Sequence, residues 1–328
     1  MTKSKVVFIG AGTIGTALGH ILAEKGSGEI LLHSIEKSVV RSINNDHVNS
    51  KYFPSIHLNR NLTATTDLKQ LESADILFLA IPSVAMLPFL NQIRPHIPDG
   101  ALMVNLAKGF GAEHQTIIQC IKASFPNPVC TLKGPSFARE IISLFPTGFT
   151  LGSEDSKSRS LITELFSGTN IHLDYTDDIM GVEMLSILKN MYAVAMGIVD
   201  ANFNSPNLRF LVLTKAFREM RRVLLYFGGC EDTLFNYCGY GDFTLTSLND
   251  LSRNRTLGLL IGKGFFTEHV SHELVLEGRT ALNIFYEEIS KKVKVEETFP
   301  IIAELNKIFN SNYDISTFEK NILSFEEA

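Results

Sequence analysis

The sequence has 328 residues, of which 45% are hydrophobic and 20% are charged, values typical of ordinary globular proteins. This composition excludes a largely disordered chain, because such chains have too little apolar mass to offset the conformational entropy lost on folding. Thirty Lys and Arg against 35 Asp and Glu give a net charge of −5, which excludes a global basic field for nucleic acid or acidic membranes. The length favours two domains.

The cysteines and the chain ends bear on the cellular compartment. Four cysteines occur without a CxxC pair, as expected of reduced, mostly buried thiols in a cytosolic chain. No run of eighteen apolar residues is free of polar interruption, so we expect no membrane span. The N-terminus lacks the apolar region of a signal peptide, and the last residues are not a peroxisomal Ser-Lys-Leu address. We therefore expect a cytoplasmic protein.

The first half of the chain alternates short apolar runs with helical patterns. The apolar runs predict strands over residues 6–9, 29–33, 75–81, 101–106, 129–132, 147–152 and 171–175. A helix is predicted over residues 16–25, directly after the first strand. Nearly continuous apolar strands that alternate with helices indicate a parallel sheet covered on both faces. We therefore expect an α/β, Rossmann-like, doubly wound sheet in this part of the chain.

The pattern becomes entirely helical from about Gly181. Helices are predicted over residues 181–199, 209–227, 258–261, 270–276, 280–292 and 318–323. No strand is predicted after Tyr175. The change of pattern divides the chain into an α/β domain over residues 1–180 and an all-α domain over residues 181–328.

A glycine-rich motif lies between the first predicted strand and the first predicted helix. Residues 10–15 read Gly-Ala-Gly-Thr-Ile-Gly, a GxGxxG pattern. In this pattern Gly10 permits a tight turn, Gly12 lets a pyrophosphate approach the backbone, and Gly15 lets the helix and strand pack closely. The helix N-terminus adds free N–H groups and a positive dipole. The motif therefore predicts a dinucleotide-binding domain over residues 1–180.

A residue that selects between NAD and NADP is expected after the second strand. Glu36 lies about 20 residues beyond Gly15, where an acidic side chain binds the ribose 2′-hydroxyl. The alternative is that Glu36 is only the first turn of the following helix. No arginine adjoins the strand end to receive a 2′-phosphate, although Lys37 and Arg41 are near. The sequence favours NAD over NADP and leaves both open.

The predicted helix over residues 181–199 is apolar nearly all round, which is typical of a buried helix. Lys189 is its only cation, and burying an ammonium group is costly unless another group pairs with it. One interpretation is a lysine at the helix rim, or one paired with Glu183. The other is a desolvated lysine that transfers a proton. The residues alone leave both open.

Several motifs, in this order along the chain, resemble those of the NAD(P)-dependent glycerol-3-phosphate dehydrogenases. They are NL with TTD (residues 61–67), LAKG (106–109), GPSFARE (134–140), GVE with LKN (181–190), GYGD with LT (239–246), SRNR (252–255) and EG with T (277–280). The resemblance implies interconversion of dihydroxyacetone phosphate and sn-glycerol 3-phosphate with NAD or NADP and no metal. It also implies a helical substrate domain over residues 181–328, a small-molecule substrate as partner, and a possible homodimer.

The resemblance also implies roles for the matching residues. The catalytic residues are Lys189, as general acid and base, with Lys108 and Asp242. The substrate-binding residues are Lys108, Gly134, Ser136, Asp242, Ser252, Arg253 and Asn254. The cofactor-binding residues are Gly10, Gly12, Thr13, Ile14, Gly15, Glu36, Lys108, Ala138, Arg253, Val275 and Glu277. Arg253 and Asn254 would hold the substrate phosphate, which suits a guanidinium that donates two parallel hydrogen bonds.

Other interpretations stay open beside the resemblance. Without the family, residues 252–255 read as a helix N-cap with a solvated basic first turn. The chain departs from the family at Ala107, over residues 200–209 and at Arg279. His269 and His272 lack a third ligand, so no metal site is expected. Two other functions remain possible for the sequence: a related dehydrogenase with another hydroxy substrate, and a dinucleotide-sensing module without catalysis.

Overall fold

The computed structural model describes residues 4–265 and 272–325, with side chains everywhere in these ranges except residues 272–277. The chain divides into two compact units, Met1–Glu183 (unit 1) and Met184–Ala328 (unit 2). Among the described residues, strands occur only in unit 1.

Unit 1 is built on one eight-stranded sheet. Its strands are β1 (Ser4–Ile9), β2 (Gly28–His33), β3 (Leu62–Thr65), β4 (Ile76–Leu79), β5 (Leu102–Asn105), β6 (Val129–Lys133), β7 (Thr147–Gly152) and β8 (Ile171–Thr176). They lie in the order β3-β2-β1-β4-β5-β6-β7-β8. The first six are parallel, with the strand order of a Rossmann fold. The predicted doubly wound α/β fold is confirmed.

Helices cover the two faces of this sheet. They are α1 (Thr13–Lys25), α2 (Lys37–Arg41), α3 (Ser83–Ile93), α4 (Ile117–Ser124), α5 (Ala138–Ile142) and α6 (Ser156–Phe166). Successive strand residues point to opposite faces, so Phe8 lies in one apolar core and Val7 in the other. Phe8 stacks on Phe78 of β4 with ring centroids 4.6 Å apart. Because both faces are covered, the central strands contain unbroken apolar runs, such as residues 6–9 of β1 and 76–79 of β4.

The sheet departs from the predicted all-parallel arrangement at β7. This strand runs antiparallel to β6 and parallel to β8. The helix between β6 and β7, α5, has five residues and is only about 8 Å long, too short to return the chain along a strand of about 17 Å. The chain therefore re-enters the sheet from the edge at which β6 ends.

Unit 2 is helical in its described residues. Its helices are α7 (Ile179–Asn202), which begins in the last residues of unit 1, α8 (Pro206–Tyr226), α9 (Asp242–Leu248), α10 (Arg253–Gly262), α11 (His272–Ser290), α12 (Val295–Thr298), α13 (Pro300–Asn310) and α14 (Phe318–Leu323). The predictions for α7 and α8 are correct within three residues at each end, and that for α14 is confirmed. The helix predicted over residues 258–261 begins five residues earlier. The one predicted over residues 270–276 lies partly outside the described residues.

Helix α7 is the core helix of unit 2. Among the described residues it alone has the length and apolar character of a membrane-crossing helix, but 94% of its apolar stretch is buried in the protein. Helix α10 packs directly on its backbone. A Cβ at Gly197 of α7 would lie 2.2 Å from the Arg255 carbonyl oxygen, and one at Gly258 of α10 would lie 2.0 Å from the Val194 carbonyl oxygen. Both glycines are therefore required for this contact.

A buried carboxyl group on α8 caps the N-terminus of α13. Glu219 is 1% exposed and accepts hydrogen bonds from the backbone N–H groups of Ile301 and Ile302, each at 2.9 Å. Tyr192 Oη lies 3.3 Å from the same carboxyl group. Burial raises the pKa of Glu219 to about 7, although the two N–H groups favour the charged form. The protonation of Glu219 is thus linked to folding.

This linkage predicts a pH-dependent component of stability. Because the pKa of Glu219 is higher in the folded than in the unfolded protein, the folded state binds the proton more tightly. The free energy of unfolding should therefore fall by on the order of 3 kcal/mol as pH rises from about 4.5 to 7. Glu219→Gln cannot ionise, so urea denaturation between pH 5 and 8 should give a flatter profile for the variant. Parallel profiles would contradict the assignment.

Candidate active site

The predicted functional residues of unit 1 follow the carboxyl ends of its parallel strands. The glycine turn follows β1, Glu36 follows β2, Lys108 follows β5 and Gly134 follows β6. Ligands of doubly wound sheets bind at this edge, at the point where the strand order reverses. Here that point lies between β1 and β4, and the glycine turn is placed at it.

The geometry of the glycine turn fits a pyrophosphate. Gly10 has φ +117°, and a Cβ there would lie 2.6 Å from the Ala80 carbonyl oxygen. A Cβ at Gly15 would lie 2.2 Å from the Gly10 carbonyl oxygen, whereas one at Gly12 would have no atom within 4 Å. Gly12 is the N-cap of α1, so the helix begins without a capping side chain. Open space thus adjoins the N–H groups of Thr13 and its neighbours, which suits an anion.

Glu36 is held by a lysine that the sequence analysis missed. Glu36 is the N-cap of α2, and its backbone N–H donates to Ser34 Oγ at 3.1 Å. Both of its carboxylate oxygens accept hydrogen bonds from Lys51 Nζ at 2.9 Å, which raises the pKa of Lys51. Lys51 lies fifteen residues downstream, outside any local motif. Glu36 therefore both begins the next helix and stands at the end of β2 as one half of an ion pair.

Three predicted substrate-binding residues meet between β5 and β6. Lys108 Nζ donates to the Gly134 carbonyl oxygen at 3.3 Å, and Ser136 Oγ donates to the same oxygen at 2.9 Å. A Cβ at Gly134 would lie 2.3 Å from the Gly148 carbonyl oxygen, so this position requires glycine. Ala138, a predicted cofactor contact, opens α5 directly after this loop.

Four polar side chains form a buried cluster beneath this loop, and we call them the buried network: Asn105, Thr131, Lys133 and Glu183. Each is at most 1% exposed. The Glu183 carboxylate accepts hydrogen bonds from Asn105 Nδ2 at 2.9 and 3.0 Å and from Thr131 Oγ1 at 2.5 Å, and it pairs with Lys133 Nζ at 3.1 Å. The sequence analysis missed this cluster. The signal was Lys133, directly after the apolar strand predicted over residues 129–132, because a lysine buried there requires an acidic partner.

Lys189 lies in a buried polar site of unit 2. It is 5% exposed, and its ammonium donates hydrogen bonds to the Asp242 carboxylate and, at 2.9 Å, to Thr246 Oγ1. Asp242 is the first residue of α9, and Thr246 lies four residues later, on the same face of that helix. The rim-lysine interpretation is therefore wrong, because the ammonium is buried and held by two groups. Such a site can hold or move a proton.

The two arginines of the SRNR motif have different environments. Ser252 Oγ accepts from the Arg255 backbone N–H at 3.3 Å, so Ser252 caps α10 as the N-cap interpretation predicts. Arg255 is buried and bound to Asp200 at 2.9 Å and to Asp250. Arg253 is exposed and has no ion-pair partner within the described part of the chain. Since a cation at a helix N-terminus opposes the helix dipole, Arg253 is suited to face an anion.

Two predicted cofactor contacts, Val275 and Glu277, lie outside the residues whose side chains are described. Within residues 4–265 and 272–325, no cluster of three or more His, Cys, Asp and Glu side chains is arranged to hold a metal ion.

The Rossmann sheet, its open glycine turn and a helical unit with a buried lysine define the class of nicotinamide-dependent dehydrogenases with an all-α second unit. The family model described as the N-terminus of NAD-dependent glycerol-3-phosphate dehydrogenase matches residues 5–159, and the model of its C-terminus matches residues 178–320. The chain belongs to the NAD-dependent glycerol-3-phosphate dehydrogenase family and is an oxidoreductase.

Individual relatives agree with this assignment. The glycerol-3-phosphate dehydrogenase (NAD(P)+) of Clostridium botulinum strain Eklund 17B is 34% identical over 316 residues, 95% of this chain and 94% of that one. The enzyme of the same name from Leptospira biflexa is 36% identical over 266 residues, 79% of this chain and 80% of that one. A crystal structure of glycerol-3-phosphate dehydrogenase from Coxiella burnetii is 28% identical, with a TM-score of 0.89 over 98% of this chain and 99% of that one. The family predicted from the sequence is confirmed.

Proposed function

We propose that this protein interconverts dihydroxyacetone phosphate and sn-glycerol 3-phosphate, with the cofactor bound by residues 1–180 and the acid–base and phosphate-binding groups supplied by residues 181–328. The observation that carries the proposal is the buried Lys189 ammonium held by Asp242 and Thr246. Membership of the family supports the identity of the substrate.

Lys189 is the proposed general acid and base. Reduction of the ketone develops negative charge on the oxygen of carbon 2, and a bound nicotinamide supplies the hydride. Lys189 Nζ donates a proton to that oxygen and takes it back in the reverse direction. The Asp242 carboxylate and the Thr246 hydroxyl orient the ammonium and offset the cost of its burial.

The substrate phosphate is assigned to the start of α10. Arg253 presents a planar guanidinium that can donate two parallel, charge-assisted hydrogen bonds to a phosphate. Asn254, half-buried beside it, can donate a further hydrogen bond through its amide. The N-terminus of this ten-residue helix favours an anion, and Ser252, by capping the helix, holds its first turn in place.

Unit 1 contributes further substrate contacts in this proposal. Lys108 binds the substrate through its ammonium, which the Gly134 carbonyl oxygen orients at 3.3 Å. Ser136 donates to the same carbonyl oxygen and lies in the loop assigned to the substrate. The close packing of Gly134 against Gly148 holds this loop against β7.

The proposed cofactor site is the carboxyl edge of the sheet around β1. Gly10, Gly12 and Gly15 leave space for the pyrophosphate, and the first N–H groups of α1, at Thr13 and Ile14, bind its oxygens. Glu36 accepts from the ribose. Ala138, Arg253, Val275 and Glu277 are assigned as further cofactor contacts on the resemblance alone.

The direct test follows NADH absorbance when dihydroxyacetone phosphate is added to the purified protein, and then repeats the assay with NADPH. We expect NADH to be oxidised. Oxidation with other ketones but not with dihydroxyacetone phosphate would indicate a related dehydrogenase with another substrate. Tight NADH binding without oxidation across a panel of phosphorylated and unphosphorylated ketones would indicate a dinucleotide-sensing module. Either result would contradict the proposal.

The Glu36–Lys51 ion pair predicts a change in cofactor selectivity. A carboxylate beside the ribose favours NAD, because it repels the 2′-phosphate of NADP. Lys51 offsets this repulsion, since it neutralises Glu36. We expect Lys51→Ala to lower kcat/KM for NADPH relative to NADH by about threefold to fivefold, the size of effect that exposed charge pairs produce.

A matched control is available for this measurement. Lys122 forms a comparable exposed ion pair with Glu154 at 2.8 Å, and Lys122→Ala should leave the ratio of the two efficiencies unchanged. If Lys51→Ala also left this ratio unchanged, the assignment of Glu36 to the ribose would be wrong.

A further inference from the structure

The buried network is unusual in its chemistry for the interior of a sheet. It places an ammonium, a carboxylate, an amide and a hydroxyl together with at most 1% exposure of any of the four residues. Burying charged groups is unfavourable unless each finds a partner, and apolar residues of similar volume often give equal stability. Stability alone therefore does not account for this set of side chains.

One arm of the buried network reaches the backbone directly before Lys108. Asn105 is the last residue of β5, and its Oδ1 accepts from the Ala107 backbone N–H at 3.0 Å. Its Nδ2 donates to both carboxylate oxygens of Glu183. The opposite orientation of the amide would turn Oδ1 toward a carboxylate. Glu183 therefore selects the orientation in which Asn105 closes the turn that leads to Lys108.

The other arm reaches the loop that holds the Lys108 ammonium. Lys133 is the last residue of β6 and directly precedes Gly134, whose carbonyl oxygen accepts from Lys108 Nζ. Lys133 Nζ donates to the Asn105 carbonyl oxygen at 2.9 Å and pairs with Glu183 at 3.1 Å. The buried network thus joins the end of the strand before Lys108 to the end of the strand before its hydrogen-bond acceptor.

The charges of the buried network are balanced. Burial lowers the pKa of Lys133, Glu183 opposes that effect, and the positive charge of Lys108 lowers the pKa of Lys133 further, so the two ammonium groups are close enough to interact. Because Lys133 neutralises Glu183, the carboxylate can orient Asn105 without competing with an anionic substrate for Lys108.

We propose that the buried network positions Lys108 for the substrate, with Asn105 and Glu183 as the positioning residues and Lys133 as the counter-ion that allows Glu183 to be buried. The inference rests on the proposed function, because positioning Lys108 matters only if Lys108 binds the substrate. None of the four side chains is placed in contact with the reacting atoms.

The test compares two substitutions within the buried network. Asn105→Leu removes the contacts to Ala107 and Glu183. Thr131→Val is the matched control, because it removes a 2.5 Å hydrogen bond to the same Glu183 carboxylate. It also removes a longer, 3.4 Å contact to the Asn105 carbonyl oxygen, but it keeps the Asn105 side chain that accepts from the Ala107 N–H in the turn before Lys108. Both variants should lower Tm. Only Asn105→Leu should raise the KM for dihydroxyacetone phosphate, by about tenfold or more, with a smaller change in kcat, because misplacing a binding group by about 1 Å is costly.

A second readout requires no turnover. The rate at which an amine-reactive acylating reagent labels Lys108 is measured by mass spectrometry, with the exposed Lys122 as internal reference. Labelling of Lys108 should be severalfold faster in Asn105→Leu than in the wild type and unchanged in Thr131→Val. Should Asn105→Leu not fold, Asn105→Ala removes the same contacts without adding volume.

The outcomes separate this inference from the proposed function. A wild type that does not reduce dihydroxyacetone phosphate would defeat the proposed function, while the labelling experiment would still decide whether Asn105 positions Lys108. Equal labelling of Lys108 in all variants would overturn the positioning role. The positioning role would also be overturned if Asn105→Leu and Thr131→Val raised KM to the same extent for the same loss of Tm.

Discussion

Lys189→Ala is expected to lower kcat for dihydroxyacetone phosphate reduction by about 10³-fold, within the range by which positioned acid–base groups accelerate reactions. The variant lacks the ammonium that we propose as the proton donor to the ketone oxygen, and steady-state kinetics at saturating substrate measure the loss. NADH binding, followed by fluorescence, should change little, because the glycine turn lies in unit 1. A kcat near that of the wild type would contradict the acid–base role.

Folding must be controlled in this experiment, because the substitution leaves the buried Asp242 carboxylate without its ion-pair partner. The double variant Lys189→Met with Asp242→Asn replaces both charges with neutral groups of similar volume and should keep a cooperative unfolding transition. Thr246→Val keeps the ion pair and removes one hydrogen bond of the ammonium. We expect it to lower kcat by about tenfold, the effect of one lost hydrogen bond to a charged group.

Arg253→Ala is expected to raise the KM for dihydroxyacetone phosphate by about 100-fold, with a smaller fall in kcat. The reason is the loss of the charge-assisted hydrogen bonds that we propose between the Arg253 guanidinium and the phosphate. Arg253→Lys keeps the charge but lacks the planar pair of donors, so it should recover only part of the affinity. An unchanged KM in Arg253→Ala would place the phosphate site elsewhere.

Arg255 provides the contrast for this measurement. It lies two residues from Arg253 but is buried and bound to Asp200 and Asp250. Arg255→Met should therefore lower Tm and change the KM for dihydroxyacetone phosphate less than Arg253→Ala does. If Arg255→Met raised the KM for dihydroxyacetone phosphate more than Arg253→Ala did, Arg255 rather than Arg253 would be the phosphate-binding residue.

The elements that the sequence predicted correctly are those whose pattern is local and strong. Residues 6–9 of strand β1 are buried on both faces and form an unbroken apolar run. Strand β3 was missed because it is an edge strand with only one large apolar residue, Leu62, followed by Thr63, Ala64 and Thr65. Helix α9 was missed because its seven residues are too few to show a helical period.

The candidate site was predictable to the extent that its chemistry is local. The backbone geometry of the glycine turn and its suitability for a pyrophosphate both depend on six consecutive residues, 10–15. The partners of Lys189 and Glu183 lie between about 50 and 78 residues away along the chain, and only the packing of the elements brings them together. Arg253 and Arg255 could not be separated from the sequence either, because their difference depends on the residue at which α10 begins.

The glycine contact between α7 and α10 has a consequence for substrate choice. With Gly197 and Gly258 in place, the two helices touch backbone to backbone, so no side-chain repacking can adjust the separation between Lys189 on one helix and Arg253 on the other. If Arg253 binds the phosphate ester and Lys189 the carbonyl oxygen, the distance between these two groups of the substrate is fixed by the protein. Ketones with a longer or shorter carbon skeleton could then bind only one of the two residues.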